Sequence, residues 1–385
     1  MAEVPFSKAD MDKVVQMGDM DQLAGLLKNY PDKEQLTNWY KDAGYLANAS
    51  PGENARQIIR HIHCFNSWAE YEHFQIAIQD TNSALWQFEQ VADAIASGDY
   101  DTIKSLLHKN PDLIHMRSVR NHHSTLLNYI GANGFEGFRQ KTPKNASAIA
   151  RLLLESGAEV DAWGDMYRGT STLGLVATSV HPVITGVQQE IMEVLIEYGA
   201  DPNHAVAPDY TDGILILACL HNGRCEPIKY LAEKGAYVDL EAAGGVDDLE
   251  KVKSYFNTDG RLSDDTLKSK LDACFIWACD CGNMNIIEYL LEKRIDVNTR
   301  SNGMTALHSA AFGGHPEIVK LLLDRKADME AINAYGGTVL SQTLWCLYNH
   351  KKLKHSEIME MLISAGAHIK EEWQRYIDDQ RHSIN

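Results

Sequence analysis

Between positions 122 and 144 the chain reads HHSTLLNYIGANGFEGFRQKTPK, and its chemistry-bearing side chains crowd most closely there. His122, His123, Asn128, Tyr129, Asn133, Glu136, Arg139, Gln140 and Lys141 fall within this one span. Imidazole titrates near neutrality and a carboxylate beside it fixes its tautomer, so a His–Glu pair suits general acid–base work. Arg139 has the planar fork that grips a carboxylate or phosphate through two parallel hydrogen bonds. Further along, His181, His221 and Asp280 are candidates to join the same floor. Glu136, Arg139, His181 and His221, with Tyr129 beside them, are thus the catalytic candidates if the protein is an enzyme. Such an enzyme would act without metal or other cofactor on a small polar metabolite. No serine elbow, phosphate-cradling glycine loop or paired-histidine zinc motif accompanies these residues. The plainer roles are structural: His122, His123 and His308 bonding neighbouring loops, and Glu136 with Arg139 as an ion pair on an exposed loop.

Helix pairs must position these groups. Residues 298–333 write out one unit, NTRSNGMTALHSAAFGGHPEIVKLLLDRKADMEAIN. Thr305-Ala306-Leu307-His308 opens a first helix, Ala310 and Ala311 lie on its buried face, and Gly313-Gly314 end it. Ile318, Val319, Leu321, Leu322 and Leu323 make the apolar face of a second helix. Thr338 follows Thr305 by 33 positions, and Ala278, Gly282 and Leu290 each precede an equivalent residue by 32. Earlier units place a first helix in residues 125–134, with Asn128 where His usually stands, and another in 171–179. A second helix follows at 189–198, and residues 239–272 form a degenerate unit. Two further segments repeat at an offset of 80: Gly18-Asp19, Leu27 and Pro31-Asp32 recur as Gly98-Asp99, Leu107 and Pro111-Asp112. The glycine frees a left-handed turn and the Asp caps the next helix.

These units, about residues 120–368, resemble the ankyrin-repeat superfamily, whose first-helix signature is T-P-L-H-x-A. The resemblance implies an all-α repeat solenoid, a stack of helix pairs with finger loops. Residues 1–85 would form a helical N-terminal cap, 86–368 an array of about seven units, and 369–385 a polar tail. A narrower likeness runs through Phe65-Asn66-Ser67-Trp68, residues 125–129 and 139–143, and His181-Pro182. It is to a group of bacterial ankyrin-repeat proteins of uncharacterised role and carries over no catalytic residue. The loops at 135–145, 162–171 and 180–188 are long for the pattern.

In T-P-L-H-x-A-A-x-x-G the x positions are not used for packing, and down the stack they make a stripe on the concave face. Tyr129, Asn133, Thr178, Ser179, His221, Trp277, Asp280, Phe312 and Trp345 stand there and are the expected ligand-binding residues. Aromatic faces beside convergent polar groups suit a protein segment or a small polar molecule. Binding is accordingly the leading expectation, with Trp277, Phe312 and Trp345 as anchors.

The formal net charge of −17 disfavours nucleic acid and anionic membranes as partners. No apolar run reaches the length of a membrane span, and MAEVPFSKADMDKVV has neither a basic leader nor an apolar core, so a cytoplasmic protein is expected. Seven cysteines, three of them Cys274, Cys279 and Cys281, are expected to be reduced, with no metal site. Cys279 and Cys281 are the pair to watch for one.

Overall fold

A computed structural model describes residues 7–30, 32–350, 353–371 and 373–377. Pro31 and most of the expected polar tail lie outside the described residues. The chain forms two compact units that divide between Leu215 and Ile216. Each is a pile of antiparallel helix pairs, and the only named strands among the described residues are the two-residue pieces Arg300–Ser301 and Met304–Thr305.

In the first unit the two copies offset by 80 residues have the same local structure. Gly18 and Gly98 end the helices Lys8–Met17 and Ala84–Ser97 in left-handed conformation, at φ 71° and 81°. Asp19 and Asp99 then accept from the backbone N–H of Gln22 and Thr102, which starts Met20–Asn29 and Tyr100–Lys109. Met11, Val15, Leu23 and Leu27 pack with Ile58, Ile59, Phe65, Tyr71 and Phe74 into one core under the helices Pro51–Ile62 and Trp68–Ala77. Ser67 is a cap that accepts from Glu70 N–H, so the Phe65–Trp68 stretch ends one helix and begins another.

His63 is sealed in this core, its Nε2–H donating to Val15 O at 2.9 Å. Burial, opposed by that hydrogen bond and aided by Arg120, pushes the ring down to about 4 from an ordinary 6.5. The folded ring is neutral while the unfolded chain takes up the proton first as pH falls. Its contribution is therefore complete above pH 6.5 and declines down to pH 4, by about 3 kcal/mol in all. Urea midpoints measured at pH 7 and 4.5 should differ more for the wild type than for His63→Gln. An equal difference in the two proteins would refute this role.

One expected helix is not an α-helix. Residues 125–134 close instead into a 3-10 turn, Leu127–Gly131, ended by Ala132 at φ 49°. The tighter coil occurs in short pieces, and this run is only five residues long. Asn128 is spent on clipping loops: its Oδ1 accepts from Thr125 N–H, and its Nδ2 donates to Ala162 O and Thr172 Oγ1. The helix Thr172–Thr178 forms where expected, and Gln188–Glu197 starts one residue before the expected 189. The loop at 180–188 holds a further short helix, His181–Thr185.

In the second unit the first helices of successive pairs are Leu215–His221, Leu240–Val246, Lys268–Cys281, Ala306–Gly313 and Val339–His350. Leu240–Val246, Lys268–Cys281, Ala306–Gly313 and Val339–His350 pack each on the next. Their partners Met284–Glu292, Pro316–Asp324 and Leu353–Ser364 bury Ile286, Leu290, Ile318, Leu322, Ile358 and Leu362. A side-chain ladder stitches the layers. Asn283 donates to Gly244 O at 2.8 Å, His315 to Asp280 O at 2.9 Å, and His355 to Phe312 O at 3.1 Å. Each bond satisfies a carbonyl at the C-terminal end of the preceding first helix, where the helix itself offers no donor. His308 bonds Thr305 Oγ1 at 2.8 Å within its own helix start and Gly337 O, 29 residues on, at 3.2 Å.

Close approach explains the small residues in these helices. A Cβ at Gly244 would stand 2.0 Å from Cys274 O, and one at Gly313 would stand 2.1 Å from Asp280 O. Neither contact is possible without moving backbone. Gly244→Ala should therefore destabilise the second unit by about 2 kcal/mol, read as a lower urea midpoint. A midpoint unchanged or raised would show that the layers have room to part.

Candidate functional site

One groove gathers much of the expected stripe. His221, Trp277, Asp280, Phe312 and Trp345 line an open cavity of about 940 Å³ in the second unit. Each comes from the C-terminal half of a first helix. Phe312 and Trp345 keep 39% and 49% of their surface exposed, an unusual outlay for rings of that size. Ser309 and Gln342 line it too.

The polar geometry of the groove is specific. Asn302 Nδ2 donates to His221 Nε2 at 3.3 Å, which places the ring proton on Nδ1. The His221 ring lies 5.4 Å from that of Trp277, whose Nε1–H donates to Glu241 Oε1 at 2.9 Å. Gln342 is held by Asn333 and donates to His308 O. Burial, then the charge of Glu226, pushes the Asp280 carboxyl up to about 7. Burial likewise lowers His221.

Sequence reasoning missed Glu241, Asn302, Tyr335 and Trp373. Glu241 sits in the degenerate unit, whose first helix LEAAGGV carries no T-P-L-H signature to set the register. Asn302 and Tyr335 belong to finger loops, and Trp373 to the tail expected to be merely polar.

The remaining candidates belong to the first unit and do not line this groove. Tyr129, Glu136 and Arg139, expected at a surface, are 1%, 0% and 4% exposed. The exposed Glu136–Arg139 ion pair is thus corrected to a buried network of four charges. Arg139 Nη1 lies 2.7 Å from Glu89 Oε2 and 3.4 Å from Glu136 Oε1, and its Nε reaches Asp93 at 2.7 Å. Arg120 Nη2 meets Glu89 Oε2 at 2.7 Å, and its Nε meets Glu136. Arg120 also donates to His63 O at 2.8 Å and lies 4.5 Å from the Phe74 ring centre. Burial alone would push the Glu136 carboxyl up; Arg120, His122 and Arg139 outweigh it and hold it far below the carboxylate range. Asn133 accepts from Tyr167 O–H, Thr178 O–H donates to Gly174 O, and Ser179 Oγ accepts from His181 N–H. His181 itself is half-buried on the short helix His181–Thr185.

The cysteines also differ from expectation. Cys225 and Cys281 form a disulfide across 56 residues, so the chain is not fully reduced here. Sequence spacing could not pair them, because Cys225 lies in the segment after Leu215–His221 and meets Cys281 only through the stacking of units. Cys279 is fully buried, with its thiol driven well above its ordinary range by burial and then by Asp280.

The family model described as ankyrin repeats (three copies) matches residues 240–333 and 276–372. These residues are ankyrin repeats. Over these residues the fold class is the all-α ankyrin solenoid. The tyrosine-protein kinase HTK16 of Hydra vulgaris is 38% identical over 105 residues, which are 26% of this chain and 13% of that protein. The protein fem-1 homolog A-like of Mus musculus is 46% identical over 68 residues, 17% of this chain and 10% of its own. The ankyrin repeat and KH domain-containing protein mask-1 of Caenorhabditis elegans is 27% identical over 229 residues, 57% of this chain and 8% of that one. The chain thus spans a small part of the curated relatives it matches. All three are animal proteins, and the bacterial likeness finds no counterpart among them. The human ASB11 ankyrin repeat domain shares 20% identity over 73% of this chain and 99% of its own, at a TM-score of 0.37. No helix among the described residues is long and apolar enough to cross a membrane.

Proposed function

We propose that the groove of the second unit binds a polypeptide segment. Trp277, Phe312 and Trp345 act as apolar anchors, and His221, Asp280 and Asn302 set orientation. The observation that carries this reading is the exposure of Phe312, Trp345 and the 92% exposed Tyr335 along one groove. Apolar rings left open to water over several repeats favour an extended chain over an enclosed metabolite. Among the described groove-lining residues Asp280 and Lys370 offset each other in sign, and the chain carries −17 overall, so the long-range field favours a basic segment. Panning a random peptide library on the full chain tests this: basic peptides with one or two apolar anchors should be enriched. Enrichment of acidic peptides, or of none, would count against it.

The acid–base alternative has less support, since the His221 ring meets Asn302 and Trp277, while Glu136 and Arg139 are spent on each other and on Glu89 and Arg120. A cap at 1–85, an array at 86–368 and a cytoplasmic setting complete the proposal.

A further inference from the structure

The sulfurs of Cys225 and Cys281 and a carboxylate oxygen of Asp280 all lie within 4.8 Å of one another. Asp280 is 7% exposed, and its Oδ2 stands 3.9 Å from Cys225 Sγ. A half-cystine sulfur carries no hydrogen, so that contact is not a hydrogen bond while the disulfide is closed. A buried carboxyl oxygen thus stands beside two sulfurs, a donor set of the metal-ligating type.

We infer that Cys225, Asp280 and Cys281, once the disulfide is reduced, form a site for a divalent cation of the zinc class. A dithiol reductant supplies the two electrons. Its thiolate attacks one sulfur, the S–S bond breaks to a mixed disulfide, and its second thiol closes the reductant's own disulfide and frees both protein thiols. The cation then displaces one proton from each thiol and forms two metal–sulfur bonds, with the Asp280 carboxylate as third ligand. Thiolates select zinc-like ions over magnesium or calcium. The Cα atoms of the two cysteines are 5.5 Å apart. Tetrahedral zinc with bonds of about 2.3 Å keeps two sulfurs within about 4 Å, so side-chain rotation suffices to open the pair. Both cysteines are half-buried and within reach of a reductant, whereas Cys219, Cys274, Cys279 and Cys346 are buried. Three protein ligands leave a fourth position open, on the edge of the groove that Asp280 lines. The site stands whether or not the groove binds a peptide.

Cobalt(II) is the probe. The full chain is reduced, freed of reductant without oxygen and titrated. One equivalent should bind, with sulfur-to-cobalt charge-transfer bands and the visible bands of a tetrahedral ion, while the oxidised chain shows neither. Cys225→Ser and Cys281→Ser should each abolish the signal, and Asp280→Asn should weaken binding at least about tenfold. Cys64→Ser, outside the cluster, should bind as the wild type does. Zinc should also protect Cys225 and Cys281 of the reduced wild-type chain from alkylation, mapped by mass spectrometry, which needs no variant to fold. The absence of charge-transfer bands in the reduced chain, their survival in either serine variant, or alkylation of both cysteines despite zinc would overturn the site.

Discussion

Arg120→Met should lower the stability of the first unit by about 3–5 kcal/mol, the largest loss expected from any single substitution considered for this protein. Arg120 is 2% exposed and sits between Glu89 and Glu136, with Phe65 and Phe74 beneath its guanidinium. Two buried carboxylates and two buried guanidinium groups balance in the native network. Met fills much the same volume but leaves both carboxylates facing Arg139 alone, so one negative charge is buried without compensation. The carbonyl of His63 also loses its donor. Urea unfolding followed by hydrogen exchange should show the loss in the helices Pro51–Ile62 and Ala84–Ser97. Glu136→Gln in the same chain should restore part of it, because removing the stranded charge is then favourable. A cost below about 1 kcal/mol for Arg120→Met, in the range of an exposed pair, would show that water reaches the network.

The second large effect concerns the groove. Alanine at Trp277 and Phe312 together should weaken binding of any peptide selected on the full chain by a hundredfold or more, about 3–4 kcal/mol. Trp277 is half-buried and tied to Glu241, so its indole is already oriented before a ligand arrives, while Phe312 lies open. Preorganised aromatic area of this kind concentrates affinity in few residues. Trp345→Ala, at the far side of the same groove, should cost less, since its ring is more exposed. Far-UV circular dichroism and the urea midpoint separate lost binding from lost fold. Every selected peptide binding the double variant as tightly as the wild type would remove the groove from the account.

The repeat architecture was legible because its signals are local. Gly18, Gly98, Asp19 and Asp99 act within a few residues of their own positions, and the 32- and 33-residue spacing forces each helix to lie on its predecessor. The same register named Trp277, Phe312 and Trp345 as outward-facing, since a repeat unit uses fixed positions for packing. Where the register faltered, at the degenerate unit and in the finger loops, Glu241, Asn302 and Tyr335 were lost to view.

What the amino-acid sequence carried by itself was thus the kind of unit, its period and the open placement of Phe312 and Trp345, whereas Tyr129 and Ser179, at equivalent positions, are buried. Tertiary structure alone decided which distant groups meet. Arg120 reaches Glu89 across 31 residues, Arg139 reaches Asp93 across 46, and Cys225 reaches Cys281 across 56. The physical reason is that caps and helical periods follow from neighbouring backbone geometry, whereas burial of a charge or closure of a disulfide depends on what the adjacent layer presents. An Arg or Glu beside a loop looks solvated until a second helix covers it, and that cover turned a presumed surface pair into the interior of the first unit.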